Sequence, residues 1–102
     1  MAFISGPVPA YFEREVTASP AEFERDLRKA WPGQVERVTD QVFRLRDGEL
    51  RLEVAVQAIG VRRLGLFELP RLAVSYRFEG GDESVRRRVL TVLDRAMQRG
   101  GG

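Results

Sequence analysis

Apolar and polar residues alternate without interruption over residues 49–58. The apolar positions are Leu50, Leu52, Val54, Val56 and Ala58. A period of two over such a length predicts a β-strand that buries one face and exposes the other. The dipeptide Asp47-Gly48 just before it predicts a tight hairpin turn, because such a turn needs a positive φ that glycine adopts without strain.

Shorter alternating stretches predict four further strands. They cover residues 11–17, 35–39, 41–46 and 71–78. The strand that begins at Glu49 is expected to end near Ile59-Gly60, since glycine is a common strand breaker. The segment 61–68 alternates less regularly, and Leu69-Pro70 is expected to end it.

A first helix is predicted over residues 20–30. Ser19-Pro20-Ala21-Glu22 is a capping box with proline at the first helical position, and Trp31-Pro32-Gly33 is expected to stop the helix. Its apolar stripe consists of Phe23, Leu27, Ala30 and Trp31.

A second helix is predicted to begin after Asp82, its N-cap, and to end at Gly100. Its apolar stripe consists of Val85, Val89, Val92, Leu93, Ala96 and Met97. This spacing is typical of a long helix that lies on a core.

The predicted order β-α-β-β-β-β-α indicates an α+β fold, with a five-stranded, mainly antiparallel sheet and two helices packed on one face. Residues 1–10 are expected to form an extended arm, residues 11–99 a single domain, and residues 100–102 a flexible glycine tail. The element order resembles that of one TATA-binding-protein-like unit. This resemblance is one of topology, without matching minor-groove residues, and it implies no function.

The charge balance argues against a strongly basic protein. The chain has 17 basic and 15 acidic residues, a net charge of +2, and Lys29 is its single lysine among arginines. Because arginine stays protonated to very high pH, this usage explains a pI of 9.7 without a strong positive field.

The residue types that carry most catalytic chemistry are missing. The chain has no Cys and no His, which excludes Ser-His-Asp and Cys-His arrangements and thiolate or imidazole metal sites. The carboxylate pairs Glu13/Glu15 and Glu22/Asp26 are candidates for Mg²⁺ binding or acid–base roles, but both are expected on exposed faces. We therefore expect no catalytic role, no metal and no cofactor.

Residues 1–10 lack the basic and apolar regions of a secretory signal. No apolar run approaches the ~20 residues that a membrane helix needs. A cytoplasmic protein without a membrane partner is the expectation.

Arginine clusters supply the candidate anion-binding residues. These are Arg62, Arg63, Arg86, Arg87 and Arg88. They could contact nucleic-acid phosphates. The structural alternative is that Asp82→Arg86 and Glu83→Arg87 are i,i+4 ion pairs of a helix. No exposed aromatic platform accompanies the arginines, so nucleic acid is not the expected partner.

The segment 59–70 departs from the half-exposed pattern of the other strands. By simple alternation Leu64 and Leu66 share one face, and Val61, Phe67 and Leu69 share the other. Apolar groups on both faces of a half-exposed sheet indicate that something covers them. The leading hypothesis is a homodimer, and an unidentified protein is a second candidate partner. The alternative is cover from within by the N-terminal arm, through Phe3 and Ile4.

The candidate interaction residues are Leu66, Phe67, Leu69 and Pro70. The stretch around them, Arg63-Leu-Gly-Leu-Phe-Glu-Leu-Pro-Arg-Leu-Ala-Val, followed by a helix that closes in Gln98-Arg99-Gly100-Gly101-Gly102, resembles small bacterial proteins of about this length. The resemblance implies a bacterial origin and no particular activity.

The expected function is that of a small binding or interaction module that self-associates. Two alternatives stay open. One is a carrier that holds an apolar ligand between sheet and helices. The other is a weak, arginine-mediated nucleic-acid binder.

Overall fold

The computed structural model describes residues 6–97. Its elements follow the predicted order β-α-β-β-β-β-α and confirm the α+β class. They are β1 (Tyr11–Thr17), α1 (Pro20–Ala30), β2 (Glu36–Thr39), β3 (Val42–Asp47), β4 (Leu50–Leu64), β5 (Phe67–Glu79) and α2 (Glu83–Met97).

The five strands form one sheet in the order β1-β5-β4-β3-β2, and every neighbouring pair is antiparallel. The consecutive strands β4 and β5 lie at the centre. Strands β1 and β2 form the two edges, so α1, which connects them, has to cross the whole sheet. This connection places α1 over the face that α2 also covers.

One continuous core fills the space between the sheet and the two helices. The predicted alternation of β4 is confirmed, because the side chains of Leu50, Leu52, Val54 and Val56 all point into this core. Strand β5 contributes Leu72, Val74, Tyr76 and Phe78; β3 contributes Phe43 and Leu45; α1 contributes Phe23, Leu27 and Ala30; α2 contributes Val89, Leu90 and Leu93. The opposite face of the sheet is open.

Helix α1 begins and ends as predicted. The Glu22 backbone N–H donates to Ser19 Oγ at 3.1 Å, and the Ser19 N–H donates to Glu22 Oε1 at 2.9 Å, which completes the capping box. At the other end the Trp31 N–H donates to the Leu27 carbonyl at 3.0 Å, and the Trp31 ring packs half-buried against the core.

Helix α2 is capped by Asp82, as predicted, with the Val85 N–H donating to Asp82 Oδ1 at 3.1 Å. The predicted apolar stripe is partly wrong. Val92 is 41% exposed and Ala96 is exposed as well, whereas Leu90 and Asp94 are buried. The buried face is therefore turned toward Leu90 and Asp94. The predicted end of this helix at Gly100 lies outside the described residues.

The central strands are longer than the sequence predicts. Strand β4 continues past Ile59-Gly60 through a β-bulge and pairs on to Leu64. Strand β5 begins at Phe67, so Leu69-Pro70 lies within it rather than at an end. The turn between them is Gly65-Leu66, where Gly65 has a φ of 61°. Glycine at the first of two turn positions is the arrangement of a type II′ hairpin.

A buried ion pair joins β1 to α2. Arg14 Nη1 and Nη2 donate to Asp94 Oδ1 and Oδ2 at 2.7 and 3.0 Å, and the two side chains are 14% and 7% exposed. The Arg14 guanidinium also lies over the rings of Phe12 and Tyr76, which stack on each other with their centroids 4.8 Å apart. Burial raises the pKa of the Tyr76 hydroxyl to about 12.

We expect Asp94→Ala to lower the free energy of unfolding by about 3 to 5 kcal/mol, because the change leaves the Arg14 charge buried without a partner. Urea denaturation at neutral pH measures this loss. The matched control is Asp40→Ala, at a carboxylate whose side chain is 96% exposed; it should cost less than about 1 kcal/mol. Equal effects of the two substitutions would contradict a structural role for the buried pair.

Candidate interaction surface

Strands β4 and β5 extend beyond their neighbours in the sheet. Strand β3 pairs with β4 only as far as Ala55, and β1 pairs with β5 only from Arg71 onward. Beyond these limits the two central strands continue alone as a two-stranded ribbon, residues 58–70. Both long edges of this ribbon lack a neighbouring strand among the described residues.

Exposed apolar side chains are concentrated on the ribbon. Leu66, at the turn, is fully exposed, and Phe67 is 72% exposed. Of the eight large apolar residues that are exposed in the described chain, five lie here: Ile59, Val61, Leu64, Leu66 and Phe67. Such a concentration on one projecting element is unusual for a free surface and is typical of an interaction site.

The bulge redistributes these side chains between the two faces of the ribbon. It adds one residue to β4 between Ala58 and Gly60, so Val61 pairs with Pro70 and Leu64 pairs with Phe67. Residues paired across an antiparallel ladder share a face. Leu64, Phe67 and Leu69 therefore lie on the face that continues the open side of the sheet, and Val61 lies on the other.

Apolar groups on both faces are thus confirmed, but the predicted grouping is wrong. Simple alternation put Leu64 with Leu66 and put Val61 with Phe67. The turn at Gly65-Leu66 was not included in that count. It changes the parity of the residues that follow it, which places Phe67 and Leu69 on the same face as Leu64.

The predicted interaction residues differ in exposure. Leu66 and Phe67 are exposed, while Leu69 and Pro70 are half-buried at the base of the ribbon. Leu64 was missed as a candidate, although it is 52% exposed and lies opposite Phe67. The sequence contained a signal for its position: Gly65 can occupy the first position of a two-residue turn, which makes Leu64 the last residue of its strand, at the tip of the hairpin.

The five predicted anion-binding arginines do not form one patch. Arg62 and Arg63 lie on the ribbon, whereas Arg88 Nη2 donates to Asp47 Oδ2 at 2.6 Å, beside the β3–β4 turn. Asp47 pairs with Leu50, twelve residues along β4 from Arg62, which is on the order of 35 Å at the rise of a strand. The arginines therefore lie at opposite ends of the sheet.

Arg86 and Arg87 bind the described part of the N-terminal arm. Arg86 Nε donates to the Val8 carbonyl at 2.8 Å, Arg87 Nη2 donates to the Gly6 carbonyl, and the Val8 N–H donates to Glu83 Oε2 at 2.7 Å. These bonds bury the Val8 side chain and hold the pKa of Glu83 below its usual range. Phe3 and Ile4, the predicted cover for residues 59–70, lie outside the described residues.

The expected helix ion pairs form only in part. Arg87 Nη2 lies 2.8 Å from Glu83 Oε2, as predicted. Asp82 accepts hydrogen bonds from the Ser84 hydroxyl and the Val85 N–H instead of pairing with Arg86. These bonds lower the pKa of the Asp82 carboxyl.

Alternating charges cover the open face of the sheet. The pairs Arg44–Glu53 and Arg51–Glu79 have N–O distances of 3.1 and 2.8 Å. Arg71 Nε donates to Glu15 Oε2 at 2.6 Å, and the hydrogen bonds from Arg71 hold the pKa of Glu15 below its usual range. Two shallow depressions lie on this face. One, of about 170 Å³, is lined by Arg44, Arg51, Glu53 and Glu79, and the other, of about 320 Å³, lies nearer Tyr11 and Gln57. This face is thus satisfied internally, in contrast to the ribbon.

The candidate carboxylate pairs are engaged in local contacts. Glu13 Oε2 accepts a hydrogen bond from the Tyr11 hydroxyl at 2.6 Å, and Glu22 belongs to the capping box. Asp26 Oδ1 lies 3.7 Å from Arg25 Nε. Within residues 6–97 no group of three or more acidic, histidine or cysteine side chains is arranged to hold a metal ion.

The chain matches no protein-family model and no curated protein sequence. Over the described part of the chain, no helix combines the length and the apolar character that crossing a membrane requires.

We expect Leu66→Ser to change the free energy of unfolding by less than about 0.5 kcal/mol, because this side chain is fully exposed among the described residues. The matched control Leu72→Ser, at a fully buried position of β5, should cost about 3 kcal/mol or more. Urea unfolding at low protein concentration compares the two. A large loss at Leu66 would mean that the ribbon is covered from within.

Proposed function

We propose that this chain is a small cytoplasmic interaction module, not an enzyme, that self-associates as a homodimer through the ribbon. One observation carries the proposal: the exposed apolar side chains gather on an element that projects beyond the rest of the sheet. The long dimension of the molecule, 45 Å against 30 and 20 Å, fits such a projection.

The free energy that the apolar side chains of the ribbon can contribute is comparable with the cost of forming a dimer. Full burial of a leucine or phenylalanine side chain stabilises by about 1.5 to 3 kcal/mol, and the ribbons of two copies together carry six such side chains, from Leu64, Leu66 and Phe67, which association would remove from water in part. The loss of translational and rotational freedom on association costs about 4 to 15 kcal/mol. The apolar gain and the cost of association are thus of the same order, so these side chains support a weak dimer whose population depends on protein concentration.

The charges of the ribbon favour a second copy over a strongly charged partner. Arg63 Nη2 lies 3.0 Å from Glu68 Oε2, and Arg62 Nη2 lies 3.8 Å from Oε2 of Glu15 on the neighbouring strand β1, so each arginine has a negative group beside it. A two-fold interface has to be complementary to itself. A surface that carries both signs beside apolar groups meets this condition.

The described part of the arm supports the same choice. Gly6 and Val8 are bonded to α2, and the Phe78 N–H donates to the Ala10 carbonyl near the C-terminal end of β5. The ribbon begins β5 at its other end. The arm therefore leaves the sheet at the end away from the ribbon.

The two alternatives from the sequence have weaker support. Between the sheet and the helices, where a carrier would hold an apolar ligand, the buried side chains of both layers form one continuous core. The arginines that a nucleic-acid binder would use are divided between the ends of the sheet and pair with acidic groups or carbonyls.

We expect light scattering to show a dimer at about 100 μM protein, with Phe67→Glu a monomer under the same conditions, because a buried charge opposes association strongly. The control is Arg46→Glu, at an exposed position of β3 on the body of the sheet, which should leave the dimer intact. Circular dichroism should show that both variants are folded.

A wild-type monomer at every concentration, or a Phe67→Glu dimer, would overturn the proposal. Removal of residues 1–5 distinguishes self-association through the ribbon from cover of the ribbon by the N-terminal arm. The truncated protein should dimerise like the full chain; if the full chain is monomeric and the truncated chain dimerises, the arm covers the ribbon.

A further inference from the structure

The hydrogen-bonding groups of the ribbon differ between its two edges. The Phe78 N–H donates to Ala10 on the β1 side, so the even-numbered residues of β5 direct their backbone groups away from β4. The even-numbered residues Glu68 and Pro70 therefore have backbone groups that point away from β4. In an antiparallel ladder, two paired residues either hydrogen-bond to each other or both direct their backbone groups outward, so the backbone groups of their two partners on β4 also point outward. These partners are Arg63 and Val61.

The free edge of β4 is consequently able to accept another strand. The backbone groups of Val61 and Arg63 face outward there, and β3 has already ended beside Ala55. The edge holds no proline, and Val61 is one of the exposed apolar residues. An unpaired edge with these properties is a ready template for strand addition.

The free edge of β5 is blocked. Pro70 lies on this edge with its nitrogen directed outward, so the position that would offer a donor has none. Glu68, the other outward-facing residue of this edge, is charged. Proline and charge are the features with which natural sheets prevent pairing at an edge.

The two outer edges of the sheet are less suitable. Strand β2 is four residues long and contains an irregularity between Arg37 and Thr39. Strand β1 is longer, but Glu13 and Glu15 lie on its exposed face beside the free edge. Short, irregular or charged edges discourage strand addition.

We propose that two copies of this chain pair through the free edge of β4, antiparallel and related by a two-fold axis at Arg62. This inference rests on the proposed self-association and specifies its geometry. Val61 then pairs with the partner's Arg63, and Arg63 pairs with the partner's Val61. Each pair exchanges two backbone hydrogen bonds, which makes four in total. The two five-stranded sheets are joined through a four-stranded ribbon.

The blocked edge explains why this assembly stops at two copies. A ribbon with two open edges would add strands without limit. With Pro70 on the other edge, each copy offers a single pairing edge, and the two-fold arrangement uses both of them. Closed two-fold dimers are the commonest form of protein oligomer.

In this register Arg62 of one copy lies opposite Arg62 of the other copy. Residues between two hydrogen-bonded pairs face each other with Cα atoms about 4.5 Å apart. The two like charges are moderated by Glu15, whose Oε2 lies 3.8 Å from Arg62 Nη2 in each copy. The position is also suited to a disulfide, which needs Cα atoms about 4.4 to 6.8 Å apart.

The test compares proline substitutions on the two edges. Val61→Pro removes an outward donor without removing a β4–β5 hydrogen bond, so it should weaken dimerisation by about 10- to 100-fold, as expected for two lost hydrogen bonds. Glu68→Pro removes an outward donor on the blocked edge and should leave the dissociation constant within about threefold of wild type. Sedimentation equilibrium measures both constants.

A cysteine cross-link gives an independent readout, because the chain has no cysteine of its own. Arg62→Cys should form a covalent dimer under mild oxidation, visible on a non-reducing gel, whereas Lys29→Cys, on the exposed side of α1, should not. Dimerisation lost in Phe67→Glu but kept in Val61→Pro, or no cross-link at Arg62→Cys, would overturn the edge pairing while self-association stands. A wild-type monomer would overturn both.

Discussion

The two central strands are much longer than the other three, and this difference in length determines which part of the sheet the rest of the chain can cover. Strands β4 and β5 have 15 and 13 residues, while β1, β3 and β2 have 7, 6 and 4. The neighbours and the helices can cover only the part of the central hairpin that they reach. The rest has to stand alone, although an isolated two-stranded ribbon is marginal in water. In the proposed dimer, pairing of the ribbon with that of a second copy would resolve this conflict without changing the core.

The arginines illustrate how a chain with a pI of 9.7 can lack a basic binding surface. Arg14 holds β1 against α2 through Asp94, and Arg86 holds the arm through the Val8 carbonyl. On the open face of the sheet, Arg44 and Arg51 pair with acidic residues of neighbouring strands. Guanidinium groups suit these roles because they form several directed hydrogen bonds and keep their charge. Apolar exposure, rather than charge, therefore distinguishes the ribbon.

Much of the fold was predictable because its signals are local. The alternation in β4 needs only the period of a strand, and the capping box at Ser19 needs only four consecutive residues. The ends of β4 and β5 were not predictable in this way. Gly60 and Pro70 usually mark strand ends, but here one belongs to a bulge and the other lies on a free edge, where its missing donor costs no hydrogen bond.

The buried ion pair and the faces on which the apolar side chains of the ribbon lie were hidden for a different reason. Asp94 is an acidic residue on a helix, and nothing near it in the sequence indicates burial; its partner Arg14 is 80 residues away. Likewise, the apolar character of residues 59–70 was visible, but their distribution over two faces depends on a bulge that only the pairing with β5 defines. Long-range pairing, not residue type, decides both features.

Amide hydrogen exchange, followed residue by residue across a protein dilution series, tests the ribbon as an interface most directly. The amides of Arg62 and Leu64 donate within the β4–β5 ladder and should stay protected at every concentration. The amides of Val61 and Arg63 face the free edge, so they should be protected in the concentrated sample and lose that protection on dilution. Rapid exchange at Val61 and Arg63 in a sample that light scattering shows to be dimeric would contradict the account.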